Sequence, residues 1–221
     1  STYIICGAVS NTSDKQVPED YGVKSGWGMF RVRGEIPALF TGEADQRYLF
    51  FTDGQTQYLD KIDDQSNGFF VTKWTNLTDN GQTASNTADG GVNTDYPLFR
   101  LADVYLMMAE AVVRGGTGSD RGTVLGYINE LQRRAYGDDE HKIADSDLTL
   151  DFLLKERARE LYWEGHRRTD LIRYGMFTTD KYLWQWKGGE KGGTAVNSKY
   201  NIYPIPNTEL TANPNLYNEN Y

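Results

Sequence analysis

The chain has 221 residues, enough to bury a sizeable core, and a formal net charge of −8. A pI near 4.8 argues against nucleic acid as a partner. A single cysteine excludes an internal disulfide, and no apolar run approaches membrane-spanning length. Aromatics make up 13% of the chain, including 15 Tyr and 5 Trp, the residues that fill cores or stack on sugar rings.

In chain order, Thr2 to Ala8 is rich in β-branched and aromatic residues and predicts a strand. Cys6 within it follows Ile4 and Ile5, where a lipidation signal would need small residues, so it reads as part of that strand. Asn11 to Gly26 is polar with Gly and Pro and predicts a long loop. Pro37 suits the first turn of a short helix over Ile36 to Thr41. Arg47 to Thr52 and Phe69 to Trp74 predict two strands. Asn76 to Thr94 is poor in hydrophobics and predicts a surface loop.

Leu98 to Gly175 carries the strongest pattern, three helices in series. The first runs from Leu98 to about Arg114, with Leu98, Leu101, Ala102, Tyr105, Met108, Ala109 and Val112 on one stripe. Asp95 is a candidate cap, Pro97 suits the first turn, and Gly115 and Gly116 stop the helix. The second runs from about Asp120 to Tyr136, with Val124, Ile128, Leu131 and Ala135 inward and Gly137 at its end. The third is expected to run unbroken from Thr149 to about Tyr174. Glu156, Glu160 and Glu164 repeat along one of its edges among arginines, and Trp163 falls among these charges. A large ring there predicts a packed second layer, in which the glutamates are buried and paired, with Arg100, Arg133 and Arg134 as candidate partners. Met176 to Lys199 is irregular, with Tyr182, Trp184 and Trp186 ahead of a GGEKGGT segment read as a flexible loop. Tyr200 to Ile205 reads as extended, and Asn207 to Leu210 as one helical turn.

RLADVYLMMAEA (Arg100 to Ala111), INELQRRAYG (Ile128 to Gly137), KERARELYWEGHRRTDLIRYGMF (Lys155 to Phe177) and the closing YPIPNTELTANPNLYNENY (Tyr203 to Tyr221) resemble the C-terminal signature of the SusD/RagB family. The resemblance implies a mainly α fold with irregular loops and a few short strands, built on a tetratricopeptide-type helix pair and a long C-terminal helix. It implies one SusD-like C-terminal region over 1–221. Within it, 1–95 is loop- and strand-rich, 96–177 holds the three helices, and 178–221 is loop and extended tail. It also implies non-catalytic glycan capture at the cell surface and delivery to a SusC-type TonB-dependent outer-membrane transporter. Attachment would be through an N-terminal lipid anchor carried by a half of the protein that precedes these residues. In the family an Asp-x-Arg pair resembling Asp45 and Arg47 precedes such strands, in a structural role.

The residues themselves narrow the chemistry. Glycoside hydrolysis needs two carboxylates facing one cleft. The glutamates of the third helix instead sit among arginines, which lower a carboxylate's pKa, the wrong direction for a general acid. No enzyme activity is expected. The only histidines, His141 and His166, are too far apart for a helical metal pair, so neither metal nor cofactor is expected. GGEKGGT lacks the Gly-Lys-Ser/Thr end of a phosphate loop. Sugar stacking remains, and the family presents an arc of aromatics to its ligand. Trp27, set between glycines, and Tyr21 are the first candidates. Trp184 and Trp186 are the second, and Asn11 is a candidate for holding hydroxyls. The alternatives are an interaction module with all aromatics in the core or, far less favoured, a glycosidase. Val104 and Met107 lie off the main stripe of the first helix and are expected to form an exposed apolar patch.

Overall fold

The computed structural model of the chain describes residues 2–41, 44–84 and 91–218. Parts of the expected 76–94 loop (85–90) and of the tail (219–221) lie outside the described residues. The chain divides into two compact units, Ser1–Arg167 and Arg168–Tyr221.

The first unit begins with a correction. Thr2–Gly7 is a short helix, α1, with Ile5, Cys6 and Gly7 buried. The β-branched residues that suggested a strand have no neighbouring strand here. The segment instead packs Ile5, Cys6 and Val9 with Val23, under Tyr21, Trp27 and Trp74. The two expected strands are in place but reduced to two residues each, β1 (Phe50–Phe51) and β2 (Phe70–Val71). They pair antiparallel with Phe50 opposite Val71. The rings around them, Phe40, Phe50, Phe69 and Tyr162, make a small aromatic core. Pro37–Leu39 forms the expected single turn ahead of it.

Three helices carry the main core. α2 (Leu101–Val113), α3 (Arg121–Tyr136) and α4 (Leu150–Leu161) bury Leu106, Ala109, Val124, Ile128, Leu131, Leu153 and Leu161 against one another. Burial of such side chains contributes about 1.5–3 kcal/mol each. α3 starts and stops as its sequence dictates. Asp120 accepts the Thr123 amide at 2.8 Å, and Gly137 closes the helix at φ 80°. α2 starts later than expected. Neither Asp95 nor Pro97 begins it, because Arg100 is extended at the cap position. Leu98 and Leu101 therefore leave the core and are 74% and 63% exposed.

The third helix is not continuous. α4 ends at Leu161, and α5 (Arg167–Arg173) is a separate helix. Between them Trp163 adopts φ 62° and Gly165 φ 79°. A left-handed tryptophan costs of order 1–3 kcal/mol and persists only where its surroundings hold it. Here two cations capture the carbonyls at the end of α4. Lys73 Nζ donates to Glu160 O at 2.9 Å and to Tyr162 O at 3.0 Å, and Arg100 Nη2 to Glu160 O at 3.1 Å. Trp163 packs beside the aromatic core and meets Phe30 edge-on at 6.1 Å. The second unit adds α6 (Asn207–Ala212) and short 3-10 turns at Lys187–Gly189, Ser198–Asn201 and Pro214–Leu216. Tyr200, expected in extended chain, lies in one of these turns.

Candidate functional site

The structure explains the glycines around Trp27. They do not leave the ring without neighbours. They let its strand of chain lie flat against the end of α1. A Cβ on Gly26 would meet Ser10 O at 2.1 Å, and one on Gly28 would meet the Gln65 side-chain amide at 2.5 Å and Asn11 Oδ1 at 2.7 Å. The Trp27, Gly28 and Met29 amides donate to Cys6 O, Val9 O and Gly7 O at 2.8–2.9 Å. Trp27 is therefore half-buried, its inner side on Ile5, Cys6, Val9 and Val23.

Its other neighbour is Tyr3, which meets it edge-on at 5.3 Å and 71° while remaining 69% exposed. Tyr3 is the residue that sequence reasoning missed. As a strand residue it would have faced away from its neighbours in alternation, whereas on α1 it stands beside Trp27. Next to this pair is a polar cluster. Gln65 Nε2 donates to Asn11 Oδ1 at 2.8 Å, and Thr12 Oγ1 donates to Gln65 Oε1 at 3.2 Å. Asn11 is exposed. Trp27 and Asn11 are thus brought to one place. Tyr21 is half-buried behind them on the same apolar cluster, and burial pushes its phenol pKa up.

In the second unit Trp184 and Trp186 line one concavity of about 700 Å³ with Arg168, Tyr200 and Tyr203. They reach it from a turn, not from extended chain. Trp186 adopts φ 66°, and the turn that follows folds back. Lys187 N donates to Trp184 O at 3.1 Å and Thr194 N to Lys187 O at 3.1 Å, so the Gly-rich segment is a hydrogen-bonded turn and not a flexible loop. Trp184 is held from within this unit, with Phe177 stacked on it at 5.7 Å and the Lys187 ammonium 4.6 Å from its ring.

The three glutamates in and just beyond α4 are fully engaged. Glu156, Glu160 and Glu164 are 0%, 3% and 5% exposed. Arg47 bridges Asp45 at 2.7 Å and Glu156 at 2.5 Å. Arg100 joins Glu160 at 3.0 Å to Glu164 at 2.7 Å, and Arg134 reaches Glu160 at 2.5 Å. The expected pairing holds for Arg100 and Arg134, whereas Arg133 is exposed on the surface of α3. Arg47, Lys73 and Arg159, which meets Glu156 at 2.7 Å, supply further positive charge. Burial raises the pKa of Glu160, but the hydrogen bond from Arg134 and the charges of Arg134, Arg47 and Arg100 outweigh it and hold the carboxyl below its ordinary range. A carboxylate locked in its charged form cannot serve as a general acid at neutral pH. Among the described residues no group of three or more acidic, His or Cys side chains could hold a metal.

The SusD family model matches residues 27–221. The chain belongs to the SusD family. It is 45% identical over 195 residues to the starch-binding protein SusD of Bacteroides thetaiotaomicron, an alignment covering 87% of this chain and 32% of that protein. It is 34% identical over 122 residues to the SusD-like protein P25 of Formosa agariphila, covering 54% of this chain and 22% of that one. The chain thus spans about a third or less of the curated relatives it matches. Surface glycan-binding protein A from Bacteroides fluxus has a similar fold, with a TM-score of 0.62 at 22% identity over 88% of this chain and 40% of that one. A SusD-like carbohydrate binding protein from Bacteroides vulgatus gives a TM-score of 0.55 at 21% identity, covering 98% and 51%. These likenesses fit the mainly helical fold with few short strands seen for this SusD-family chain.

Proposed function

We propose that this SusD-family chain contributes a non-catalytic glycan-binding surface, on which Tyr3 and Trp27 stack against sugar rings and Asn11 holds hydroxyls. The observation that carries the reading is the edge-on Tyr3–Trp27 pair at 5.3 Å and 71°, beside the exposed side-chain amide of Asn11. Two rings at a steep angle fit the bend between successive pyranose units, whose C–H faces are apolar and whose rims are hydroxyls. The starch-binding name of its 45%-identical relative supports an oligosaccharide as the ligand. Family membership supports the rest of the reading: attachment to the outer membrane through a lipid anchor, exposure at the cell surface, and delivery to a SusC-type transporter. Paired, arginine-locked carboxylates argue against hydrolysis.

The test is calorimetric titration of the chain with maltohexaose, cellohexaose and xylohexaose, repeated with Tyr3→Ala and Trp27→Ala. Binding of at least one, weakened tenfold or more by each substitution, is the expected result. Binding untouched by both substitutions would overturn the reading of this surface.

A further inference from the structure

We infer that the second unit carries a carbohydrate site of its own, independent of Tyr3 and Trp27, with Trp186 and Tyr200 as its ring-stacking residues. It rests on the glycan reading above and adds a second place where pyranose rings dock. Three observations converge on the concavity of about 700 Å³ in that unit.

The first is its lining. Trp184, Trp186, Tyr200 and Tyr203 come together with Arg168 and Asn197, and no carboxylate is among the lining residues. Tyr200 and Tyr203 remain 50% and 72% exposed. Large aromatics with a few polar donors are what a sugar subsite needs, apolar faces for C–H groups and N–H or O–H groups for hydroxyls. Arg168 is prepared for the polar part. Its guanidinium lies 3.9 Å from the Tyr203 ring centroid and 5.0 Å from that of Phe177, and Nη2 donates to Tyr200 O at 2.6 Å. Stacking fixes its plane, so its remaining N–H groups point in set directions.

The second is strain. Trp186 is one of two non-glycine residues with positive φ among those described, at 66°. A tryptophan gains nothing locally from that backbone, which glycine would adopt without cost. Strain of this kind collects at binding sites, where it aims a side chain.

The third is a buried strut. Lys187 is 2% exposed, yet its ammonium meets no carboxylate within 4 Å among the described residues. Instead it donates to Thr179 O at 2.5 Å and Tyr182 O at 2.8 Å, under the Trp184 ring. Burial pushes its pKa down, with the charge of Asp180 opposing, so holding the ammonium there works against stability. What it holds is the loop that presents Trp184 and Trp186. A preformed aromatic loop binds without a further ordering cost.

Calorimetry of the intact chain with maltohexaose, cellohexaose and xylohexaose decides it. Two sites per chain are expected for at least one of them. Y3A/W27A should keep one site, and W186G/Y200A should lose that site by tenfold or more in affinity while keeping the other. Glycine at 186 accepts the positive φ and Tyr200 is half exposed, so any fall in melting temperature should be small, and retention of the other site shows that the variant is folded. One site, abolished by Y3A/W27A and unaltered by W186G/Y200A, overturns the inference while the reading of Tyr3 and Trp27 stands. One site, lost only in W186G/Y200A, upholds the second site and removes the first. No heat with any of the three sugars overturns both.

Discussion

At the scale of single residues, exposure separates binding from folding. Tyr3 is 69% exposed, so Tyr3→Ala should leave stability within the about 0.5 kcal/mol typical of surface substitutions. Its effect should appear in affinity, as a tenfold loss or about 1.4 kcal/mol in a titration. Trp27 is different, because its inner side is packed. Trp27→Ala should lose affinity and also lower the denaturation midpoint, though by less than the about 3–5 kcal/mol of a fully buried tryptophan. Gly28 should be intolerant. At φ 60°, with Gln65 and Asn11 where a Cβ would sit, Gly28→Ala should cost about 1–3 kcal/mol and push Gln65 away from Asn11. A melting curve equal to that of the parent would refute this account of the glycine.

At the scale of elements, the end of α4 is where charge overrides helix propensity. Nothing in RELYWEGHRR forbids a helix, and Gly165 alone would only weaken one. The helix stops because Lys73 and Arg100 take its last carbonyls and Trp163 turns left-handed into the aromatic layer. Lys73→Met would leave Glu164 with one partner fewer and take the ammonium from Tyr162 O, while Arg100 still reaches Glu160 O. A loss of about 3–5 kcal/mol in urea unfolding, with unchanged slope, is the expected result. The same layer sets the response to acid. The Glu160 pKa is depressed in the fold, so its stabilising contribution is complete above the unfolded value of about 4.3. That contribution is lost as pH falls through the lower folded value. Stability should therefore hold from neutral down to about pH 5 and decline below it. In Glu160→Gln the acid decline should be shallower and the neutral stability lower. Parallel pH profiles for the two proteins would show that Glu160 is not responsible.

At the scale of the whole chain, the outer face of α2 exposes apolar side chains. Val104 and Met107 are 40% and 46% exposed, and Leu98, Phe99 and Leu101 add 74%, 86% and 63%. Leu101, Val104 and Met107 recur every three residues and so share one side of the helix, and exposed apolar surface of that kind marks an interaction face. The 221-residue chain should associate in solution in a concentration-dependent way, and V104E/M107E should shift it toward the monomer. Light scattering behind gel filtration reads this directly. A parent chain that stays monomeric at high concentration would mean that the face is tolerated by water.

What the sequence determined by itself was set by short-range chemistry. Period and the closing glycine placed α3 to within a residue, because Gly137 acts within one turn of its own position. The burial of Glu160 and Glu164 was legible from Trp163 lying among them, since a ring that size must be covered. Trp27 and Asn11 were recognisable as residue types suited to sugar. The tertiary structure decided everything that depends on partners distant in the chain. Thr2–Gly7 has the composition of a strand, but a strand needs another strand beside it, and this one packs as a helix on Val23 and Trp27. Tyr3 became a candidate site residue only through that change. The third helix breaks because Lys73, nearly ninety residues upstream, reaches its last carbonyls. Trp184 and Trp186 share a concavity through a positive φ and a buried ammonium, neither of which leaves a periodic trace in the sequence. Local propensity acts over a few residues, whereas the contacts that place the candidate rings close over tens of residues, and only the folded chain brings them into reach.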